Sequence, residues 1–418
     1  MASPLAITPA PAVGCAAARL HARRLSSQAA TCSYAAPQHR KRVRDSTSCR
    51  AAETEVVEEP ETGEVEEGLS EDLLKLLGPR TIPTPVLSPE EVLDSLYNRI
   101  HDNATEHYHA FYSSELQGIT TDPALMLVHM DDHLVHRGHA VFDTAVIVDG
   151  FLYQLWEHLQ RFQASAEAAG LLLPCSIDQI QRIICETSAA GRQVNAHVKY
   201  WLGAGRGSFG LSGAECVRPT FYCQVYTTPL GDLDRERYMR VRTSDVPIKP
   251  SFFATLKSTN YLPNVLAVMD AQADGLDQGI FVDEDGMVAE GPNMNIGIIT
   301  HDNEIVVPPF DNSLPGITIM TLMELIPEVL GTDDLLSVDR VVQRHFSVEE
   351  AKAAREVFLA GSSLPILPVV VWDDVNIGEG VPGRGVLSLK ALLLNHMNPA
   401  NNRGQHTEVP YGWLTGAE

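Results

Sequence analysis

Apolar positions along this chain follow two spacings, one for strands and one for helices. Val141–Val148 is a strand-like run ending in the tight turn Asp149-Gly150, with Phe151–Leu155 predicted as its hairpin partner. Leu159, Phe162 and Ala166 then share one face of a helix predicted over Glu157–Ala169, and a second helix is predicted over Ile177–Ala190. Val194–Leu202 and Thr220–Thr227 read as strands on either side of a glycine-rich loop. Further on, Val265, Leu266, Val268 and Met269 at helical spacing predict a helix over Asn264–Ala273. Gly279–Val282 and Met287–Ile299 are β-like runs joined through Asp285-Gly286. Ile319–Leu330 is an apolar helix, Glu356–Ala360 and Val369–Trp372 are short strands, and Leu387–His396 is the last helix. Near the start, Ser88 caps a helix running to about Asp102, with Pro89 in its first turn and Glu91 completing a capping box, and Ala124–Met130 looks strand-like. The mixture predicts an α/β fold of the α+β, two-domain kind.

Composition divides the chain further. With 418 residues, 44% apolar and 20% charged, it has material for two domains with sizeable cores. Residues 1–50 carry eight Lys/Arg and one acid, Asp45, a local +7; the chain as a whole is at −23, which leaves −30 on residues 51–418. So acidic a body repels nucleic acid and anionic membranes, excluding both as expected partners. The basic, Ala/Ser/Arg-rich start reads as an organellar transit peptide, plastid or mitochondrial. Residues 51–80, led by an acidic run over 51–72, read as a disordered linker, because so few large apolar groups cannot offset the chain entropy. Residues 81–230 are expected to form a small N-terminal domain and 239–396 a larger C-terminal one. The short polar connection 231–238, including Gly231–Glu236, would join them, and 397–418 would form a tail. Cys175, Cys185, Cys216 and Cys223 are spaced neither for a metal knuckle nor for a disulfide scaffold, so reduced thiols and no metal are expected. No run approaches the roughly 18 to 20 apolar residues needed to span a bilayer, which predicts a soluble protein.

Candidate chemistry concentrates in Leu256–Thr300, which presents Lys257 and Glu290 from one loop-helix-hairpin unit. A lysine in a dry pocket becomes nucleophilic enough for a Schiff base with an aldehyde, and a carboxylate beside a pyridine nitrogen would keep that ring an electron sink. Thr318 is expected at the cap of a helix whose free N–H groups suit an anion, and Gly361-Ser362-Ser363 offers hydroxyls and N–H groups to a phosphate. Gly205-Arg206-Gly207-Ser208-Phe209-Gly210 matches GxGxxG literally, but no helix is predicted to open at its third glycine. It reads as a loop rimming a pocket rather than a dinucleotide site.

The order of these parts carries a resemblance. Arg137-Gly138 before a strand, Glu157-His158-x-x-Arg161 on a helix, Lys257 in LKSTNYL, Glu290-Gly291 in VAEGPNMN, Gly316-Ile317-Thr318 and Gly361-Ser362-Ser363 succeed one another as in the fold-type IV pyridoxal-phosphate enzymes, the class IV aminotransferase family. The chain resembles that family over roughly residues 85–395. Its VHRGHAVFDTA, KSTNYLPNVL and VAEGPNMN are most similar to the plant D-amino acid transaminase group, which favours a plastid. The resemblance implies pyridoxal 5'-phosphate between two domains and a homodimer. Lys257 would form the Schiff base and shuttle the proton. Glu290 would pair with the ring nitrogen, Tyr261 with the ring hydroxyl, and Arg161, Ile317, Thr318, Ser362 and Ser363 with the phosphate. The implied reaction moves the amino group of a D-amino acid to a 2-oxo acid. Branched-chain transamination, aminodeoxychorismate lysis with p-aminobenzoate release, or a non-catalytic binding role on the same fold are the alternatives. One departure is visible. Bacterial D-amino acid members hold the substrate carboxylate with an arginine and a histidine on the loop that here reads SFGLSG, where neither occurs, and their first-strand tyrosine falls at Val146. Arg206, His139 or backbone N–H groups are the candidate substitutes. His136 and His158 are expected to be structural.

Overall fold

A computed structural model describes residues 84–100, 107–228, 237–331 and 337–416. The transit peptide, the acidic linker and the Gly231–Glu236 connection lie outside them. The capping box at the first described helix, Pro89–Ile100, forms in both directions: Ser88 N–H donates to Glu91 Oε2 at 2.7 Å and Glu91 N–H to Ser88 Oγ at 3.3 Å.

Two sheets organise the rest of the chain. The first contains β1 (Tyr108–Ser113), β2 (Gly118–Thr120), β3 (Ala140–Val148), β4 (Phe151–Tyr153), β5 (Ala196–Gly203), β6 (Thr220–Tyr226) and β16 (His406–Glu408), in the order β16-β4-β3-β5-β6-β1-β2 with every pairing antiparallel. The β3–β4 turn is made by Asp149 and Gly150, both at positive φ, as a two-residue hairpin requires. Helices Leu155–Ala168 and Ile177–Gly191 cover this sheet, burying Leu159, Phe162 and Ile180 against Val198, Tyr200 and Phe221. The second sheet holds β7 (Met239–Thr243), β8 (Gln278–Val282), β9 (Val288–Glu290), β10 (Asn295–Ile299), β11 (Glu304–Val307), β12 (Arg340–Gln343), β13 (Glu356–Ala360), β14 (Ile366–Trp372) and the short β15 (Val375–Asn376). Its path β10-β13-β14-β7-β8-β9 closes on itself because Glu290 of β9 also pairs with Asn295 of β10. Val241, Ile280, Ile296, Ile298, Leu359 and Trp372 share one buried core here. Helices Ile317–Val329 and Arg384–Met397 pack outside it through Leu322, Val386 and Leu389.

Three expectations are corrected. Ala124–Met130 is not a strand; it contains a 3₁₀ turn, Pro123–Leu125, capped by Asp122, whose side chain accepts the Ala124 N–H. The run Met287–Ile299 is broken at Gly291–Met294, where Gly291 N–H turns back to the Met294 carbonyl at 2.8 Å and separates β9 from β10. Residues 397–418 are more than a tail, since β16 adds an edge strand to the first sheet through pairs such as Thr407 with Leu152. The four described cysteines are free thiols, with Cys185 and Cys223 buried. No helix among the described residues is long and apolar enough to cross a membrane.

Candidate active site

A cavity of about 560 Å³ lies between β3 and β5 of the first sheet on one side and β9, the start of helix Ile317–Val329 and the β13–β14 loop on the other. That size falls in the usual range for small-molecule sites. Lys257, Arg161, Tyr261, Glu290, Ile317, Thr318, Ser362 and Ser363 all line it.

Backbone pairing fixes Lys257. The Phe142 N–H donates to the Lys257 carbonyl at 2.9 Å and the Thr259 N–H to the Ala140 carbonyl at 3.0 Å, so the lysine loop lies as an added strand beside the free end of β3. Gly138 makes the approach possible. Its φ is +62°, and a Cβ there would stand 2.6 Å from Asn260 Oδ1. The Lys257 amine sits 4.7 Å from the Phe142 ring centre. Burial, then the Arg161 charge, push it down to about 8, against the opposing pull of Asp143 and Glu290. Such a lysine is neutral far more often at neutral pH than an ordinary one.

Glu290 is buried at 6% exposure and accepts the Leu314 N–H at 3.0 Å. Burial pushes its carboxyl up to about 7, opposed by the Lys249 charge, the Leu314 N–H and Lys257. A cation placed against it would draw it back toward the ionised form. Two residues beyond Leu314, Gly316 caps helix Ile317–Val329 with no side-chain bond, so the expected cap at Thr318 is corrected: Ile317 and Thr318 are the first two helical residues, where N–H groups lack partners within the helix. Glycine is needed at 316 because a Cβ would lie 1.8 Å from Asn295 Oδ1, whose amide donates to the Leu314 carbonyl at 2.8 Å.

Arg161 is tied from three sides. Its Nε and Nη2 donate to Asp143 at 2.9 and 2.7 Å, and its Nη1 donates to the Pro315 carbonyl at 3.2 Å, leaving the remaining Nη hydrogens for a ligand. Asp143 also accepts from His158 Nδ1 at 2.9 Å. Burial opposes its charge, yet Arg161 and then His158 hold its carboxyl well below the usual range. His158 thus has the structural role expected of it, as the second clamp on Asp143.

Two expected substrate residues do not reach this cavity. His139 places Nε2 3.0 Å from the Ala169 carbonyl, and Arg206 is bound by Asp131 at 2.8 Å and Glu115 at 3.3 Å. Neither residue lines the cavity, which corrects the expectation for this chain's own cavity. The glycine loop is followed by a 3₁₀ turn, Gly213–Glu215, and then β6, with no nucleotide-type helix.

The residues that sequence reasoning missed are Asp143, Lys199, Lys249, Phe142 and Trp201. Asp143 had a usable signal: a charge in the middle of AVFDTAVIV, in a strand covered on both sides, must have a partner. Lys199 stands likewise among apolar neighbours in AHVKYWLG. Phe142 and Trp201 had none, because they face each other only through the β3–β5 register.

Comparison with known proteins agrees with this geometry. A family model for amino-transferase class IV matches residues 140–372. The chloroplastic D-amino-acid transaminase of Arabidopsis thaliana is 44% identical over 319 residues, 75% of this chain and 82% of that protein. A putative branched-chain-amino-acid aminotransferase of Methanocaldococcus jannaschii is 28% identical over 66% of this chain and 93% of its own length. Among solved structures, the branched-chain amino acid aminotransferase of Escherichia coli shares the fold at a TM-score of 0.65 and 22% identity, covering 72% of this chain and 99% of that one.

Proposed function

The chain belongs to the class IV aminotransferases, and from that premise we propose that it transfers the amino group of a D-amino acid to a 2-oxo acid with pyridoxal 5'-phosphate as cofactor. The observation carrying the D-amino acid reading is the 44% identity to the Arabidopsis thaliana D-amino-acid transaminase, against 28% for the Methanocaldococcus jannaschii branched-chain protein.

The residues present fit the cofactor: a depressed lysine amine, a buried carboxylate, an arginine and a helix start all border one cavity. When bound, this cofactor supplies an aldehyde and an electron-withdrawing pyridine ring. Lys257 would provide the amine that holds that aldehyde and would take the proton from the substrate α-carbon. Glu290 would hold the proton on the ring nitrogen, and Tyr261 would meet the ring hydroxyl. Arg161, the N–H groups of Ile317 and Thr318, and the Ser362 and Ser363 hydroxyls would receive the phosphate.

Substrate choice is tested by giving the holoenzyme D- and L-amino acids with 2-oxoglutarate or pyruvate, and aminodeoxychorismate separately. Turnover of D-amino acids is expected. Exclusive turnover of L-branched amino acids would refute the D-specific reading, and p-aminobenzoate release would establish a lyase. By the same reading the enzyme is a plastid homodimer. Sedimentation at the mass of one chain would contradict the dimer, and a reporter fused to residues 1–50 that stays outside plastids would contradict the location.

Lys257 also sets a pH dependence. Only the neutral amine attacks, and its fraction rises as pH passes about 8. Attachment of pyridoxal 5'-phosphate to the cofactor-free protein should therefore accelerate up to about pH 8 and level off above it, as followed by rapid-mixing absorbance. An amine with the ordinary lysine pKa of about 10.4 would gain nearly tenfold between pH 8 and 9 and still several-fold between pH 9 and 10, and that profile would rule out the depressed lysine.

A further inference from the structure

Four cations line the cavity, and three of them answer to a carboxylate. Arg161 is bound to Asp143, and the charge of Glu290 acts on both Lys249 and Lys257. Lys199 answers to none among the described residues: burial alone moves its amine, pushing it below the ordinary lysine value.

Its position is defined by the sheet. Lys199 lies in the middle of β5, opposite Thr144 on β3 and Gln224 on β6, so neighbouring strands hold its backbone from both sides. Its amine lies 4.6 Å from the Phe142 ring centre and 5.4 Å from that of Trp201. The same Phe142 ring neighbours the Lys257 amine at 4.7 Å, which places both amines in the same part of the cavity. Half-burying an ammonium without an anion costs stability, and two aromatic faces offset only part of that. An arriving anion would supply the rest. Every amino acid and every 2-oxo acid brings one, and the alternatives His139 and Arg206 are held elsewhere by Ala169, Asp131 and Glu115.

We propose that Lys199 receives the carboxylate of the amino-acid and 2-oxo-acid substrates in a charge-assisted hydrogen bond, beside the amine of Lys257. This rests on the transaminase reading above and names the carboxylate site that reading lacks. Phe142 and Trp201 hold the lysine stem and amine in place, and the strand position keeps the charge fixed where a loop arginine would move.

The test compares propanoate with propanamide, which has the same shape and no charge, by calorimetric titration of the holoenzyme. The wild type should bind the acid at least about 10-fold more tightly, as a hydrogen bond between charged groups would give. Lys199→Met should abolish that preference and Lys199→Arg should keep most of it. In turnover, Lys199→Met should raise KM for both substrates about 10- to 100-fold with a smaller change in kcat. Its unfolding temperature should be equal or higher, because an uncompensated charge has been removed; should Met not fold, Lys199→Gln makes the same comparison. Equal binding of acid and amide by the wild type, or an undiminished preference in the variant, overturns the proposal. The titration needs no turnover, so the two readings separate. A holoenzyme that binds propanoate through Lys199 but transaminates nothing refutes the transaminase reading alone. One that transaminates with unchanged KM in Lys199→Met refutes the carboxylate site alone.

Discussion

Replacing Lys257 with alanine is expected to lower turnover at least about 10⁴-fold, since in the proposed reaction one side chain both attaches the cofactor and moves the proton. Lys249 and Lys199 line the same cavity from other segments of the chain, whereas the pairing of Ser258 with Val141 sets the Lys257 loop beside the start of β3. The visible absorption of the holoenzyme should be lost on dialysis of the variant, while borohydride should fix the cofactor irreversibly to the wild type alone. The fold should survive, because the deleted amine is a buried charge whose own burial disfavours it. Steady-state kinetics together with thermal unfolding separate the two effects. A variant keeping a tenth of wild-type activity would remove Lys257 from the chemistry.

Asp143→Ala should produce the largest loss of stability, about 3 to 5 kcal/mol, because removing one partner of a buried ion pair leaves the other uncompensated. Asp143 is 0% exposed and holds both Arg161 and His158. Without it the guanidinium keeps the Pro315 carbonyl and a long contact to His158 Nδ1, and no anion. Denaturant unfolding of the cofactor-free protein is the measurement. The double variant Asp143→Ala/Arg161→Met should recover most of the loss, since no buried charge then remains unpaired. If the single variant loses less than about 1 kcal/mol, the clamp contributes little to the fold. Cofactor affinity should fall in both variants, because Arg161 is either misplaced or absent. Stability and cofactor binding therefore respond differently across the pair, which distinguishes a positioning role for Asp143 from a merely structural one.

Local physics made much of the fold readable. The hairpin at Asp149-Gly150 needs two residues at positive φ and has residues that tolerate it, while the Ser88 capping box is written in neighbouring residues. Amphipathic spacing marked helices Leu155–Ala168 and Ile177–Gly191 to within a few residues. Where the reading failed, one cause was local and the other long-range. Asp122 captures the chain at Ala124 in place of a ladder, and β16 exists only because β4 offers it a free edge. At the candidate site, Lys257, Glu290 and the Gly316-Ile317-Thr318 helix start were legible because each lies in a short run whose order along the chain matters.

Residue order alone dictates the inventory: a lysine, a carboxylate, an arginine, a helix start and a serine loop, together with the turns and caps that local backbone preferences impose. The environment of those groups comes from tertiary packing. It placed Asp143 under Arg161, excluded Arg206 and His139 from the chain's own cavity, and brought Lys199 beside Phe142. Burial, charge and register act across strands distant in the chain, and this is why. Desolvation sets the Lys257 amine at about 8 and the Glu290 carboxyl at about 7 through residues from both sheets and the loops between them. Spacing along a single chain carries no record of those distances.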